Sequence, residues 1–440
     1  MKRQLYQEVI QWSRRPDRRP LLLRGARQTG KTYLIDEFGK SSFDHYLKVN
    51  FEKDTAFLGC FETLDPRKII QMIELLSNQT ITPGKSLLFL DEIQECPKAI
   101  QALRYFYEEM PELHVIGAGS LLEFALTAEN FSMPVGRVSF LYLYPMSFTE
   151  MLLALNKNKL VEYIKNIGIK DTIPSPVHQE LLKQLDLYFI LGGMPQIVDL
   201  YAKHEKLLSC REAQSAILNG YRDDFGKYAS QAQQHYCERV FNKSFELIGK
   251  HFKYTDIDPD MDYRGLKQAI NLLFKANILT PIYFTNATGL PLSATQIEKK
   301  YKLLFLDLGL AQAAGRAPPE MIFNKDLMQI NQGALTEQFV GQHLLTMQPN
   351  YDRAELFYWK QDSRGSQAEI DYLFAVNNKP IPLEVKAGKT GRLKSMHIYM
   401  QKHNVPLGIK LSTDALDTSG SIWSIPLYLV EELTRLIGIN

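Results

Sequence analysis

The segment Gly25-Ala26-Arg27-Gln28-Thr29-Gly30-Lys31-Thr32 constrains this chain more than any other. It fits G-x-x-x-x-G-K-[ST] at every fixed position. The glycines let the backbone curl tightly and aim its N–H groups at one point, and a following helix adds its positive N-terminus. A turn of this kind is built for phosphate oxygens. Lys31 can reach the β- and γ-phosphates of a nucleotide, and Thr32 can place its hydroxyl on Mg²⁺. The expected cofactor contacts run from Gly25 to Tyr33, with the Arg27 side chain facing solvent. An ordinary glycine turn is the plain alternative. The context weighs against it, because Pro20–Arg24 reads as an apolar strand and Thr32–Phe38 as a helix.

A second motif follows. Leu87-Leu-Phe-Leu-Asp91-Glu92 reads as a buried strand ending in two acids. The carboxyl end of a strand is where open parallel sheets bind ligands. Asp91 is expected to hold the metal and Glu92 to polarise an attacking water. Glu92 favours hydrolysis over phosphoryl transfer to a metabolite, which speaks against a small-molecule kinase. The next strand ends in Gly117-Ala-Gly-Ser120. Ser120 there can orient the water, or cap the helix that follows, or both. Arg137 has two readings: charge stabilisation in a neighbouring subunit's site, or a structural salt bridge.

Strands of four to six apolar residues alternate with helices up to residue 150. They are His45–Asn50, Ser86–Leu90 and His114–Gly117, with helices at Pro66–Leu76 and Lys98–Glu109. That alternation predicts an α/β domain with a parallel sheet buried on both faces. Residues 151–232 read as a helical lid or linker, including Met146–Ile164, His178–Leu191 and Glu205–Lys227. Residues 233–315 read as two helices, Glu238–Lys250 and Tyr263–Asn277, then a strand at Ile278–Phe284 and a turn near Gly289. This is the outline of a winged helix, or else a packing module between larger domains. Residues 316–440 read as a second α/β domain, with a helix at Asn331–Met347, strands at Glu355–Trp359, Glu369–Phe374 and Ile381–Lys386, and a helix at Leu393–Lys402.

The phrases GARQTGKT, FLDEIQ, GAGS and GR followed by LYPMSFTE together resemble a prokaryotic family of AAA-superfamily ATPases with an uncharacterised C-terminal region. Gly192-Gly-Met-Pro195, Lys302-Leu-Leu-Phe-Leu-Asp307-Leu-Gly-Leu310, Glu337 and Glu384-Val-Lys386 resemble that region, so the likeness spans nearly the whole chain. It implies ATP binding and hydrolysis and supplies no settled biological role.

In the last domain, period-two geometry puts Glu384 and Lys386 on one face, and a turn at Asn377–Pro380 would bring Asp371 alongside. Glu337 can complete the group. Carboxylates holding Mg²⁺ and a lysine orienting water suit phosphodiester cleavage, with Asp371 and Glu384 as the metal ligands. The set resembles the restriction-endonuclease-like core with its D…E-x-K signature. The alternative is a degenerate relative whose acids make salt bridges at a domain interface.

Bulk properties agree with this outline. At 440 residues and 45% apolar, the chain is long enough for two to four cores. A net charge of +2 excludes a wholly basic nucleic-acid coat but leaves DNA or RNA as a partner through a local patch. Four cysteines without a CxxC pair argue against zinc or disulfides and for a reducing, cytoplasmic setting. No signal segment or membrane span is read. A homo-oligomer is expected, since hydrolysis sites of this class often lie between subunits.

Overall fold

The computed structural model describes residues 1–126, 136–315, 325–361, 368–376, 379–387 and 393–438, with 325–332 described as backbone only. Pro134 and Val135 before Arg137, and two residues of the expected turn at 377–380, lie outside these.

Five strands form the first sheet: β1 (Leu21–Arg24), β2 (His45–Asn50), β3 (Ser86–Asp91), β4 (His114–Ala118) and β5 (Ser139–Tyr142). Their order is β2-β3-β4-β1-β5, and every neighbouring pair is parallel. Alternation of side chains explains why both faces are buried. Leu21 and Leu23 of β1 join Leu34, Ile35 and Phe38 of the helix Lys31–Ser42 on one face. Leu22 joins Ile69, Ile100 and Leu103 on the other. The helix Pro66–Ser77 is locally encoded. Asp65 accepts hydrogen bonds from the Arg67 and Lys68 N–H groups at 3.0 and 3.3 Å, Pro66 fills the first helical position, and Ile69, Ile70 and Ile73 face inward.

The helix expected over 146–164 is two helices, Phe148–Ala154 and Asn158–Asn166, broken where Asn156 turns left-handed at φ +59°. Ser147 and Glu150 form a reciprocal cap that starts the first. A 22-residue helix, Leu207–Tyr228, carries the chain over the first domain.

The second sheet has seven strands: β6 (Leu279–Thr285), β7 (Gln296–Phe305), β8 (Leu356–Lys360), β9 (Glu369–Val376), β10 (Lys379–Val385), β11 (Gly408–Ser412) and β12 (Ile422–Pro426). Their order is β12-β11-β10-β9-β8-β6-β7. The reading from sequence gave the last domain only three of these strands. The hairpin β6–β7, expected as a wing, pairs through β6 with β8 in parallel, so strand pairing crosses residue 315. Apolar β6 has few ways to satisfy its outer N–H and C=O groups except a further strand. Among the described residues, no helix is long and apolar enough to cross a membrane. All four cysteines are free and buried.

Candidate functional site

The loop after β1 turns at Gly25 (φ +143°) and Gly30 (φ +93°), with Gln28 also left-handed. A Cβ on Gly25 would lie 2.2 Å from the Leu143 carbonyl oxygen, so no other residue fits there. Thr29 Oγ1 donates to the Ala26 carbonyl at 2.9 Å and closes the turn. Lys31 Nζ donates to the Gly25 and Ala26 carbonyls at 2.9 and 2.8 Å. Burial pushes the Lys31 ammonium down to about 8, against the pull of Glu92 and Asp91. Tyr33, one step along the helix, is half exposed.

Parallel pairing places the ends of β2 and β3 together, with Asn50 opposite Asp91. Asp91 accepts from Thr32 Oγ1 at 3.0 Å and from Asn50 Nδ2 at 3.0 Å, and Lys48 Nζ lies 3.5 Å away. Burial raises the Asp91 carboxyl, opposed chiefly by Lys48. A threonine hydroxyl and a carboxylate meeting beside a phosphate loop fit Mg²⁺ on a nucleotide. Glu92 then turns left-handed at φ +49°, which holds its side chain off the strand line. Its Oε2 accepts from Gln94 Nε2 at 2.7 Å and lies 3.5 Å from Ser120 Oγ. The structure thus brings Lys31, Thr32, Asp91, Glu92 and Ser120 together.

Arg137 lies apart from that group in its contacts. Its Nε donates to Glu108 of the same chain at 2.8 Å on an exposed surface. Arg27 does not simply face solvent: it is ion-paired with Asp224 of the helix Leu207–Tyr228, and Tyr221 Oη donates to the Arg27 carbonyl at 2.7 Å. Buried Arg3 ties the other side of the loop, donating to the Thr29 carbonyl at 2.7 Å while pairing with Glu150 at 3.1 Å. The sequence reading missed Arg3, Lys48 and Asn50. Nothing in a single sequence reveals strand order, and strand order is what puts Asn50 beside Asp91.

The C-terminal residues also converge. Tyr372 of β9 lies opposite Leu383 of β10, so the next pair sets Asp371 beside Glu384. Lys386 Nζ donates to Glu384 Oε1 at 2.6 Å, and Asp371 Oδ2 accepts from the Val385 N–H at 2.8 Å. Three further residues join that were not foreseen: Lys302, Glu369 and His251. Lys302 Nζ is 2.6 Å from Glu369 Oε1 and 3.6 Å from Glu337 Oε2. His251 Nε2 is 2.7 Å from Glu369 Oε2. Lys302 was detectable as the one charge inside the otherwise apolar run Tyr301–Phe305. Burial would lower its ammonium, but Glu337, Asp371 and Glu369 outweigh that and raise it. Burial and the Asp371 charge push Glu337 up to about 8, and Glu384 rises to about 7 for the same two reasons. Burial opposes the shift at Glu369, yet His251 and Lys302 hold it down to about 2. Among the described residues no group of three or more His, Cys, Asp or Glu is arranged to hold a metal. The donor set here does not fit Mg²⁺, because Lys302, Lys386, His251 and a backbone N–H already occupy most of its oxygens.

Two of the family-like phrases meet at a structural hub. Asp307 accepts from the Gly193 N–H at 2.6 Å and the Leu310 N–H at 2.9 Å, and burial raises its carboxyl to about 6.

Residues 17–152 match the family model described as an AAA domain. Residues 182–320 and 332–429 match two models, each described as a domain of unknown function (DUF8612 and DUF4143). No curated protein matches. Similar solved structures include the Walker-type ATPase PABY2304 of Pyrococcus abyssi, at 13% identity and TM-score 0.46, covering 71% of this chain and 95% of that one. The Aeropyrum pernix ORC2 protein is similar at 12% identity and TM-score 0.36, covering 75% and 95%. The Thermotoga maritima RuvB Holliday junction branch migration motor is similar at 15% identity and TM-score 0.30, covering 64% and 89%. At such scores the assignment stands on the matched domain, the strand order and the loop. Residues 17–152 thus match an AAA domain and hold the parallel sheet and phosphate loop, and matches to two domains of unknown function follow.

Proposed function

We propose that this chain binds ATP with Mg²⁺ in the loop Gly25–Thr32 and hydrolyses it. The observation that carries the reading is the meeting of Lys31, Thr32, Asp91 and Glu92 at the carboxyl ends of β1 and β3, with Thr32 Oγ1 3.0 Å from Asp91. Backbone N–H groups of the loop and the Lys31 ammonium bind the triphosphate. Thr32 and Asp91 would hold Mg²⁺, which when bound neutralises charge on the β- and γ-phosphates. Glu92 takes the proton of an attacking water, and Ser120 orients that water. The water oxygen bonds to the γ-phosphorus, the bond to the bridging oxygen breaks, and ADP and phosphate leave. Lys31 exchanges its two carbonyl partners for phosphate oxygens, whose negative charge makes them the stronger acceptors.

In this reading hydrolysis is coupled to DNA or RNA through the winged-helix-like segment 233–315 and the nuclease-like domain 316–440. The convergence of Asp371, Glu384 and Lys386 supports a nuclease-like core. One observation favours a second reading, a nucleotide-dependent regulator or scaffold whose C-terminal domain does not cut: the acids there are already paired with Lys302, Lys386 and His251. Arg137 acts in a neighbouring subunit only if its pair with Glu108 opens on assembly. The deciding experiment is phosphate release with and without single- and double-stranded DNA and RNA, with Lys31→Ala as control. Stimulation lost in the control supports nucleic-acid coupling. Activity that no nucleic acid alters supports the regulator, and no activity at all removes both.

A further inference from the structure

The C-terminal acidic pocket carries four carboxylates, those of Glu337, Glu369, Asp371 and Glu384. Most of their oxygens already have partners. Both Glu369 oxygens are taken, Oε1 by Lys302 at 2.6 Å and Oε2 by His251 at 2.7 Å. Glu337 Oε2 lies 3.6 Å from the same Lys302 ammonium, Glu384 Oε1 is held by Lys386, and Asp371 Oδ2 by a backbone N–H. The Lys302 side chain is 2% exposed, so its charge has little water to fall back on. A buried ammonium is tolerated only where acids compensate it, and the acids only where a cation compensates them. One oxygen stands apart: Glu384 Oε2 is buried and has no hydrogen-bond partner. It marks the direction in which the pocket has coordination to spare.

Lys302 also comes from elsewhere in the chain. It sits on β7, inside the segment 182–320, whereas Glu337, Glu369, Asp371 and Glu384 belong to 332–429. We propose that Lys302 is a built-in counter-cation, inserted from the β6–β7 hairpin into the acidic pocket of the following domain, where its ammonium takes the position of a divalent metal ion and keeps one out. The consequence is a pocket that holds Mg²⁺ or Mn²⁺ only when Lys302 is withdrawn. The inference does not depend on the ATPase reading, since it concerns a different pocket and is tested without nucleotide.

The test uses the full-length, nucleotide-free chain and Mn²⁺ as the probe, with free Mn²⁺ followed by electron paramagnetic resonance. Lys302→Met keeps the length of the side chain and removes its charge. The expected result is one new Mn²⁺ site per chain, at least about tenfold tighter than any in the wild type, in keeping with the usual worth of a freed buried charge. That site is lost again in Lys302→Met with Asp371→Asn, and Lys302→Arg does not create it. A wild-type site that Asp371→Asn removes would overturn the proposal. So would a folded Lys302→Met chain, judged by its melting transition, that gains no site. If Lys302→Met does not fold, the wild type and Asp371→Asn decide: identical Mn²⁺ isotherms support the counter-cation, and loss of a site in Asp371→Asn refutes it.

Discussion

Two pockets in this chain gather acids and a lysine at strand ends, and they differ in who holds whom. Around β1 and β3, Lys31 rests on neutral carbonyls, and Asp91 accepts from Thr32 and Asn50 with the Lys48 ammonium 3.5 Å away. Around β9 and β10, the acids are held by the ammonium groups of Lys302 and Lys386 and by the His251 ring. A charged phosphate is a stronger acceptor for Lys31 than the carbonyls that it replaces, whereas a buried ion pair resists being opened. On the proposed reading the first pocket accepts a polyanion with its metal, and the second is neutralised from within.

A large effect is expected from removing the lysine of the first pocket. Lys31→Ala should lower the ATP hydrolysis rate by at least about 10²-fold, the usual scale for losing one transition-state donor, as measured by phosphate release. Glu92→Gln should cost a comparable factor, about 10²-fold or more, yet leave ATP binding intact in equilibrium dialysis. Equal loss of binding would mean that Glu92 shapes the pocket rather than activating water.

Arg137 sharpens the comparison from outside both pockets. If a neighbouring subunit uses it, Arg137→Ala should cut hydrolysis by about 10³-fold or more and leave the melting temperature unchanged. If it serves only Glu108 at the surface, neither quantity should move.

The pH responses should differ as well. In the first pocket, Lys31 titrates near 8 when no nucleotide is bound, so it loses charge above that pH. ATP affinity should fall as pH rises from 8 to 9.5, with proton uptake on binding visible by calorimetry in two buffers. In the second, the Glu337 carboxyl is raised to about 8 and that of Glu384 to about 7, both above their unfolded values. The unfolded chain then binds fewer protons than the folded one between about pH 4.5 and 8, so stability drops as pH rises through that window. Glu337→Gln should flatten the fall in melting temperature between pH 5 and 8. Glu369 acts in the opposite sense: its folded value is about 2, so its contribution is present above the unfolded value and is lost as pH drops toward 2.

The smallest effect is expected at the edge of the nucleotide loop. Arg27 is more than a third exposed, and Asp224 keeps Lys227 within 3.8 Å when Arg27 is removed. Arg27→Ala should cost no more than about 1 kcal/mol of stability by denaturant titration, the range of partly screened pairs.

Much of the first pocket was legible in the sequence because its parts are local. The loop is eight consecutive residues, Asp91 and Glu92 are adjacent, and each apolar strand announces itself by composition. Covalent order alone fixes their neighbours. The Asn50 contact and the clamps on Arg27 and Thr29 were not legible, since the first needs strand order and the others need side chains brought in from distant segments, Asp224 to Arg27 and an Arg3 held by Glu150 to Thr29. The pairing of β6 with β8 and the burial of Lys302 among the acids are of the same kind. The sequence by itself determined a phosphate loop, an acidic pair and the residue types of a second acidic site. Only the tertiary structure decided which charges meet. Charge pairing in a low-dielectric interior depends on distances between segments far apart in the chain, and no local rule of propensity or spacing carries those distances.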